Sequence, residues 1–151
     1  QVEIYNLCVK GEAKEVGKTL ARYLKERCRE IPITKKPLCI IAGGETTVTV
    51  AGKGKGGRNL ELALAAAMEL DECENLKFIT LATDGEDGPT DAAGAVVDGG
   101  TLAQAKGFGL NALDYLCDNN SYEFFDKVGG LIKTGPTGTN VNDLVFMFAY
   151  P

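Results

Sequence analysis

A chain of 151 residues, 44% of them apolar, is long enough to bury the core of one domain. Its net charge of −5 excludes the basic face that general nucleic-acid binding needs, and no run reaches the roughly 18 apolar residues of a membrane helix. The chain has no histidine, which excludes Ser-His-Asp and Cys-His catalysis and the usual zinc sites, so its chemistry must use Asp, Glu, Lys, Arg, Thr, Asn and backbone amides.

Residues 2–9 alternate loosely and are β-rich, which predicts a first strand broken by Gly11. Residues 12–30 place Ala13, Val16, Leu20, Tyr23 and Leu24 at a helical period, with Pro32 and Pro37 as stops. Residues 38–42 are wholly apolar, the mark of a strand buried on both faces, and Gly43 and Gly44 punctuate it. Residues 46–50 alternate Thr and Val and read as a half-exposed antiparallel strand. A helix over 59–70 is followed by a buried strand over 77–83, a loop over 84–93 and a short strand over 94–97. A helix over 101–106 and one or two short helices within 111–127 come next. Residues 131–134 lead into a loop over 135–142, and 144–150 form a last apolar strand. This alternation predicts an α/β class, as a three-layer α/β/α domain with a mixed, mainly parallel sheet.

Cys8, Cys28, Cys39, Cys73 and Cys117 show no C-x-x-C spacing and sit in apolar or amphipathic segments, so reduced core thiols are expected. No secretory pattern opens the chain, which leads us to expect a cytoplasmic protein without a membrane partner. Gln1 in place of an initiator Met leads us to expect a processed or excised N-terminus.

Three glycine-rich loops are expected to leave strand ends, opened by Gly43, Asp84 and Gly135. Open α/β sheets bind ligands at such edges. In the first, Gly52, Gly54 and Gly57 satisfy G-x-G-x-x-G, while Gly52, Gly57, Arg58 and Asn59 fall on the fixed positions of a P-loop with Arg for Lys and Asn for Ser/Thr. Both templates are incomplete: the segment before the loop is a poor buried strand, and Asn is a poor Mg²⁺ ligand. The physical expectation is an anion site. The amides of Gly54, Lys55, Gly56 and Gly57 approach the ligand without side chains, a helix starting at Asn59 adds its positive end, and Lys53, Lys55 and Arg58 add charge. The alternative is a surface turn kept soluble by its lysines. The second loop crowds Asp84, Glu86, Asp87 and Asp91, which can hold Mg²⁺, take a proton or merely form turns. The third offers Thr137, Gly138, Thr139, Asn140 and Asn142 as a polar lining or as an ordinary turn loop.

The stretches GGETTVTVAGKGKGGRNLELALAAAMEL, LATDGEDGPTDAAGAVVDG and TGPTGTNVNDL together resemble the C-terminal MOFRL domain of glycerate 2-kinases, some of them labelled hydroxypyruvate reductase. The resemblance covers about residues 12–150. It implies a two-domain enzyme whose active site lies in the cleft between an N-terminal domain, absent from this chain, and a domain like this one. The implied reaction is phosphate transfer from ATP to the 2-hydroxyl of D-glycerate with Mg²⁺. Arg58, in Gly56-Gly57-Arg58-Asn59, falls on the family's active-site arginine. Glu45, Lys53, Gly54, Lys55, Gly56, Gly57, Asn59, Thr137, Gly138, Thr139, Asn140 and Asn142 are the expected substrate or phosphate contacts, and Asp84 and Asp91 the expected metal ligands. The resemblance implies that the isolated chain is inactive or nearly so, because half a cleft cannot hold both substrates in line. A homodimer, a nicotinamide-dependent hydroxypyruvate reductase and a non-catalytic anion-binding domain stay open.

Overall fold

The computed structural model describes residues 1–29 and 36–151. In chain order the elements are β1 (Val2–Val9), α1 (Ala13–Cys28), β2 (Leu38–Gly44), α2 (Arg58–Glu69), β3 (Leu76–Ala82), β4 (Gly94–Asp98), α3 (Thr101–Gly107), α4 (Ala112–Cys117), α5 (Ser121–Val128), β5 (Leu131–Ile132) and β6 (Asp143–Ala149). The expected helix end at Glu30 and the Pro32 stop lie outside the described residues.

The strands form one sheet in the order β1-β2-β6-β3-β4-β5. The α/β class and the mixed sheet are as expected. The balance within the sheet differs from a mainly parallel one: β1 and β2 are parallel, and every other neighbouring pair is antiparallel. The cause is β6. Strands β1, β2 and β3 run the same way, but β6 returns between β2 and β3 in the opposite direction and turns one parallel contact into two antiparallel ones.

Along β3 and β6 the burial alternates residue by residue, and along β2 it does so as far as Ala42. Leu38, Ile40, Leu76, Phe78, Val145 and Met147 point into the core shared with the helices. α2 is buried almost all round, which suits its run of Ala and Leu, and it packs on α1, β3 and β4. α1 buries Ala13, Gly17, Leu20, Ala21 and Leu24, a single stripe at helical spacing. Gly17 is the contact point, because an added Cβ there would run into the Leu62 carbonyl.

The helices gather on this one face. Ile41, Ile79, Leu81, Leu144, Phe146 and Phe148 on the opposite face are only half-buried and lie outside the core. The described residues therefore make two layers where three were expected, and residues 38–42 form a strand covered on one side. Residues 46–50 are not a strand. Their single ladder contact is a parallel bridge from Thr47 to Glu12, and Glu12 also accepts from the Thr49 amide, so the segment follows the start of α1 and does not join the sheet. The five cysteines are free, but none is a core residue: Cys8 and Cys117 are exposed and the other three half-buried. No described helix is long and apolar enough to cross a membrane.

Candidate functional site

The glycine-rich loop between β2 and α2 is wired inward. Asn119 Oδ1 accepts from the amides of Ala51 and Gly52, both at 2.8 Å. Asp118 takes the Lys53 amide on its side chain and the Gly54 amide on its carbonyl. Asn120 Oδ1 takes the Lys55 amide at 2.9 Å. Side chains at Gly52, Gly54 or Gly56 would collide with residues 118–121. These glycines therefore let two stretches of backbone pack closely. The amides of Gly54 and Lys55, expected to face a ligand, are spent on this turn.

The positive end of α2 already holds an anion from its own chain. Asp87, 1% exposed, accepts from the amides of Asn59 at 3.0 Å and Leu60 at 2.8 Å, and from the Asn59 side chain. It fills the place a phosphate would take at a free helix start. Gly57 is required here, since a Cβ would meet the Asp87 carboxylate. Burial pushes the Asp87 carboxyl above its ordinary value, against the hydrogen bonds from Asn59 and Leu60 that lower it.

Arg58 opens α2 and reaches the end of β6. Its Nε donates to Asp143 Oδ2 at 2.6 Å and its Nη2 to Asp143 Oδ1 at 3.0 Å, a two-point grip on one carboxylate. Nη1 lies 3.4 Å from Glu45, whose side chain is 55% exposed. The Asp143 hydrogen bonds raise the guanidinium above its ordinary pKa. A guanidinium has five N–H donors; Asp143 takes two and Glu45 lies beside Nη1 as an ion pair, so donors remain for an incoming anion.

The second and third loops are sewn together beside this pair. Thr83 donates its amide and hydroxyl to the Asn142 carbonyl and accepts from the Val141 amide. Thr137 donates its hydroxyl to the Thr83 carbonyl at 2.5 Å, and its amide to the Asp84 carbonyl. Asn140 donates to Asp84 Oδ2 at 3.0 Å. Gly138 and Asn142 adopt positive φ. Thr137, Gly138, Thr139, Asn140 and Asn142 are exposed, so this loop is an open rim. Lys53 and Lys55 are exposed on the first loop, with the Lys55 ammonium over the Tyr122 ring.

The two expected metal ligands, Asp84 and Asp91, are held by different protein partners. Asp91 accepts from Tyr122 at 2.7 Å and Lys133 at 2.9 Å, contacts that lower its pKa, while Asp84 is held by Asn140. Among the described residues no group of three or more His, Cys, Asp or Glu side chains is placed to hold a metal.

Arg58 and Glu45, both expected site residues, lie together in the structure. Asp143, Asp87 and Asn119 fix Arg58, the helix start and the loop. Of these, Asp87 stands among the crowded acids of the second loop named from the sequence, and Asp143 and Asn119 were not singled out there. The signal for Asn119 was the polar run Asp118-Asn119-Asn120 between two short helices. The strand-turn-helix of a dinucleotide fingerprint is not formed, since residues 46–50 are no strand.

Residues 38–143 match the MOFRL family. The chain is 49% identical to a D-glycerate 2-kinase of Thermotoga maritima, over 95% of this chain and 34% of that protein. It is 45% identical to a glycerate 2-kinase of Pyrococcus horikoshii, over 94% of this chain and 32% of that protein. A crystal structure of glycerate kinase from Thermotoga maritima superposes with a TM-score of 0.94 at 46% identity, covering 99% of this chain and 36% of that one. The chain thus spans about a third of the length of the curated relatives it matches.

Proposed function

The chain belongs to the MOFRL family, and from that premise we propose that it supplies the Arg58 side of the active site of a glycerate 2-kinase. An N-terminal domain, on the same chain or a separate one, supplies the other side. The observation that carries the reading is the Arg58–Asp143 grip at an edge where three loops meet, in a chain similar to glycerate 2-kinases over nearly all its length.

In this reading the terminal phosphoryl group of ATP passes to the 2-hydroxyl oxygen of D-glycerate. The bond to the β-phosphate oxygen breaks, the new P–O bond forms, and the hydroxyl proton leaves. Such a transfer needs position and charge neutralisation more than covalent help. Arg58 suits that task. Asp143 fixes the plane of the guanidinium, while the exposed Glu45 sits where a substrate carboxylate or phosphoryl oxygen could displace it from Nη1. Lys53 and Lys55 add positive charge at the rim. The amides of the glycine loop are engaged up to Lys55 and those of Asn59 and Leu60 hold Asp87, so the backbone contribution to an anion falls to Gly56, Gly57 and Arg58. Mg²⁺, which would neutralise phosphate charge when bound, finds no group of three or more carboxylates among the described residues, so in this reading the other domain or the substrates supply part of its ligand set.

The test joins this chain to the part of the Thermotoga maritima D-glycerate 2-kinase outside the matched region. ADP release from ATP should require D-glycerate and both parts, with none from this chain alone. Full turnover by this chain alone would overturn the half-site reading, and nicotinamide oxidation dependent on hydroxypyruvate would replace it with the reductase.

A further inference from the structure

The sheet face turned away from the helices carries a continuous apolar surface. Ladder pairing sets Ile4, Ile41, Phe146, Ile79 and Val96 side by side in one row across β1, β2, β6, β3 and β4. A second row, Gly43, Leu144 and Leu81, lies between it and the loop edge, with Leu7 against Gly43. At the far side Lys77 and Asp98 pair as a polar rim. On β1, Val2 is 70% exposed, Ile4 62% and Leu7 61%. A sheet face of this kind is stable when buried against another layer, and contiguous apolar patches mark interaction surfaces.

We propose that this face is the docking surface for the polypeptide that the glycerate kinase relatives carry beyond the matched region, seated through an amphipathic helix whose aliphatic stripe runs along the row from Ile4 to Val96. The inference rests on the kinase reading above. Two observations select this occupant. The same fold is found within a glycerate kinase chain of which it covers 36%, so most of that chain lies outside it and is tethered to it. The patch also ends at the same loop edge of the sheet as the proposed site: Leu144 follows Asp143, whose side chain points to the helix-covered face, and Leu81 lies two residues before Thr83. A body seated on the face therefore borders this edge and meets Arg58 by extending past it to the helix side.

Cys39, half-buried on this face beside Phe148, is a built-in reporter. Its alkylation by iodoacetamide is compared in this chain alone and in the fusion with the remainder of the Thermotoga maritima enzyme, each relative to its rate in urea. The expected result is at least about a tenfold slower reaction in the fusion. Equal rates would overturn the assignment, as would a Cys39 protected in the chain alone together with a dimer mass, which would assign the face to a second copy. Ile79→Lys supplies an independent check. It should leave the melting temperature of the chain alone within a few degrees and restore Cys39 reactivity in the fusion. If it unfolds the chain alone, the face belongs to this domain's own core and the proposal fails. A fusion that protects Cys39 but releases no ADP with D-glycerate contradicts the kinase reading and supports the docking surface, and ADP release with a fully reactive Cys39 does the reverse.

Discussion

A cation at a binding edge is useful only if its direction is set, and at residue scale that is what Asp143 does for Arg58. The carboxylate is 7% exposed and takes two of the guanidinium's donors, so the side chain has one orientation. In the complete enzyme Asp143→Asn should lower kcat about tenfold, with a smaller change in KM, because one hydrogen bond and the charge partner are lost. In an Arg58→Ala background the same change should cost kcat nothing further, and additive losses would show that Asp143 acts elsewhere. Glu61 is a different case. It is 2% exposed, its Oε2 accepts from Asn119, and its Oε1 has no hydrogen-bond partner among the described residues. Burial raises its carboxyl pKa above the ordinary 4.5, opposed by the Asn119 hydrogen bond and Lys14 and reinforced by Glu12 and Asp87. A raised acid favours the protonated folded state, so its contribution is present below the unfolded value and lost as pH rises through the folded one. Melting curves from pH 4 upward should show Glu61→Gln gaining on the parent as pH rises, and a constant offset between the two would contradict this.

At the scale of elements, the start of α2 depends on a carboxylate 28 residues further along the chain. Asp87→Ala should leave the amides of Asn59 and Leu60 without an acceptor and cost about 1–3 kcal/mol, read by chemical denaturation. A loss within error would mean that water or Asn59 itself replaces the cap. Most elements were legible beforehand, because their signals are local: the apolar stripe of α1, the Ala/Leu run of α2 and the alternation of β1 need no partner to be recognised. What was hidden depends on partners distant in sequence. Nothing within residues 143–149 says that β6 will insert between β2 and β3, so the sheet read as more parallel than it is. Residues 46–50 have a strand's alternation, but the sheet gives them no slot, and Glu12 takes the Thr49 amide instead. The glycine loop had the composition of a phosphate cradle. The turn that consumes its amides lies more than 60 residues away, at Asp118, Asn119 and Asn120.

At the scale of the whole molecule, two features share one explanation. The helices cover one face of the sheet only, and the loop edge presents Arg58 and an open polar rim without an enclosing second wall. Both fit a domain built to work against another body. Isothermal titration of this chain alone with D-glycerate should accordingly give weak binding that Arg58→Ala abolishes, whereas tight binding by the isolated chain would favour a sensor over half of an enzyme. The measurement that tests the central claim most directly is ADP release by the fused two-part protein with ATP and D-glycerate, with and without Arg58→Ala. The account predicts a fall in kcat on the order of 10²–10³, the cost of removing one positioned charge-stabilising donor, with the fold intact by circular dichroism. Retained turnover in the Arg58→Ala protein would contradict it.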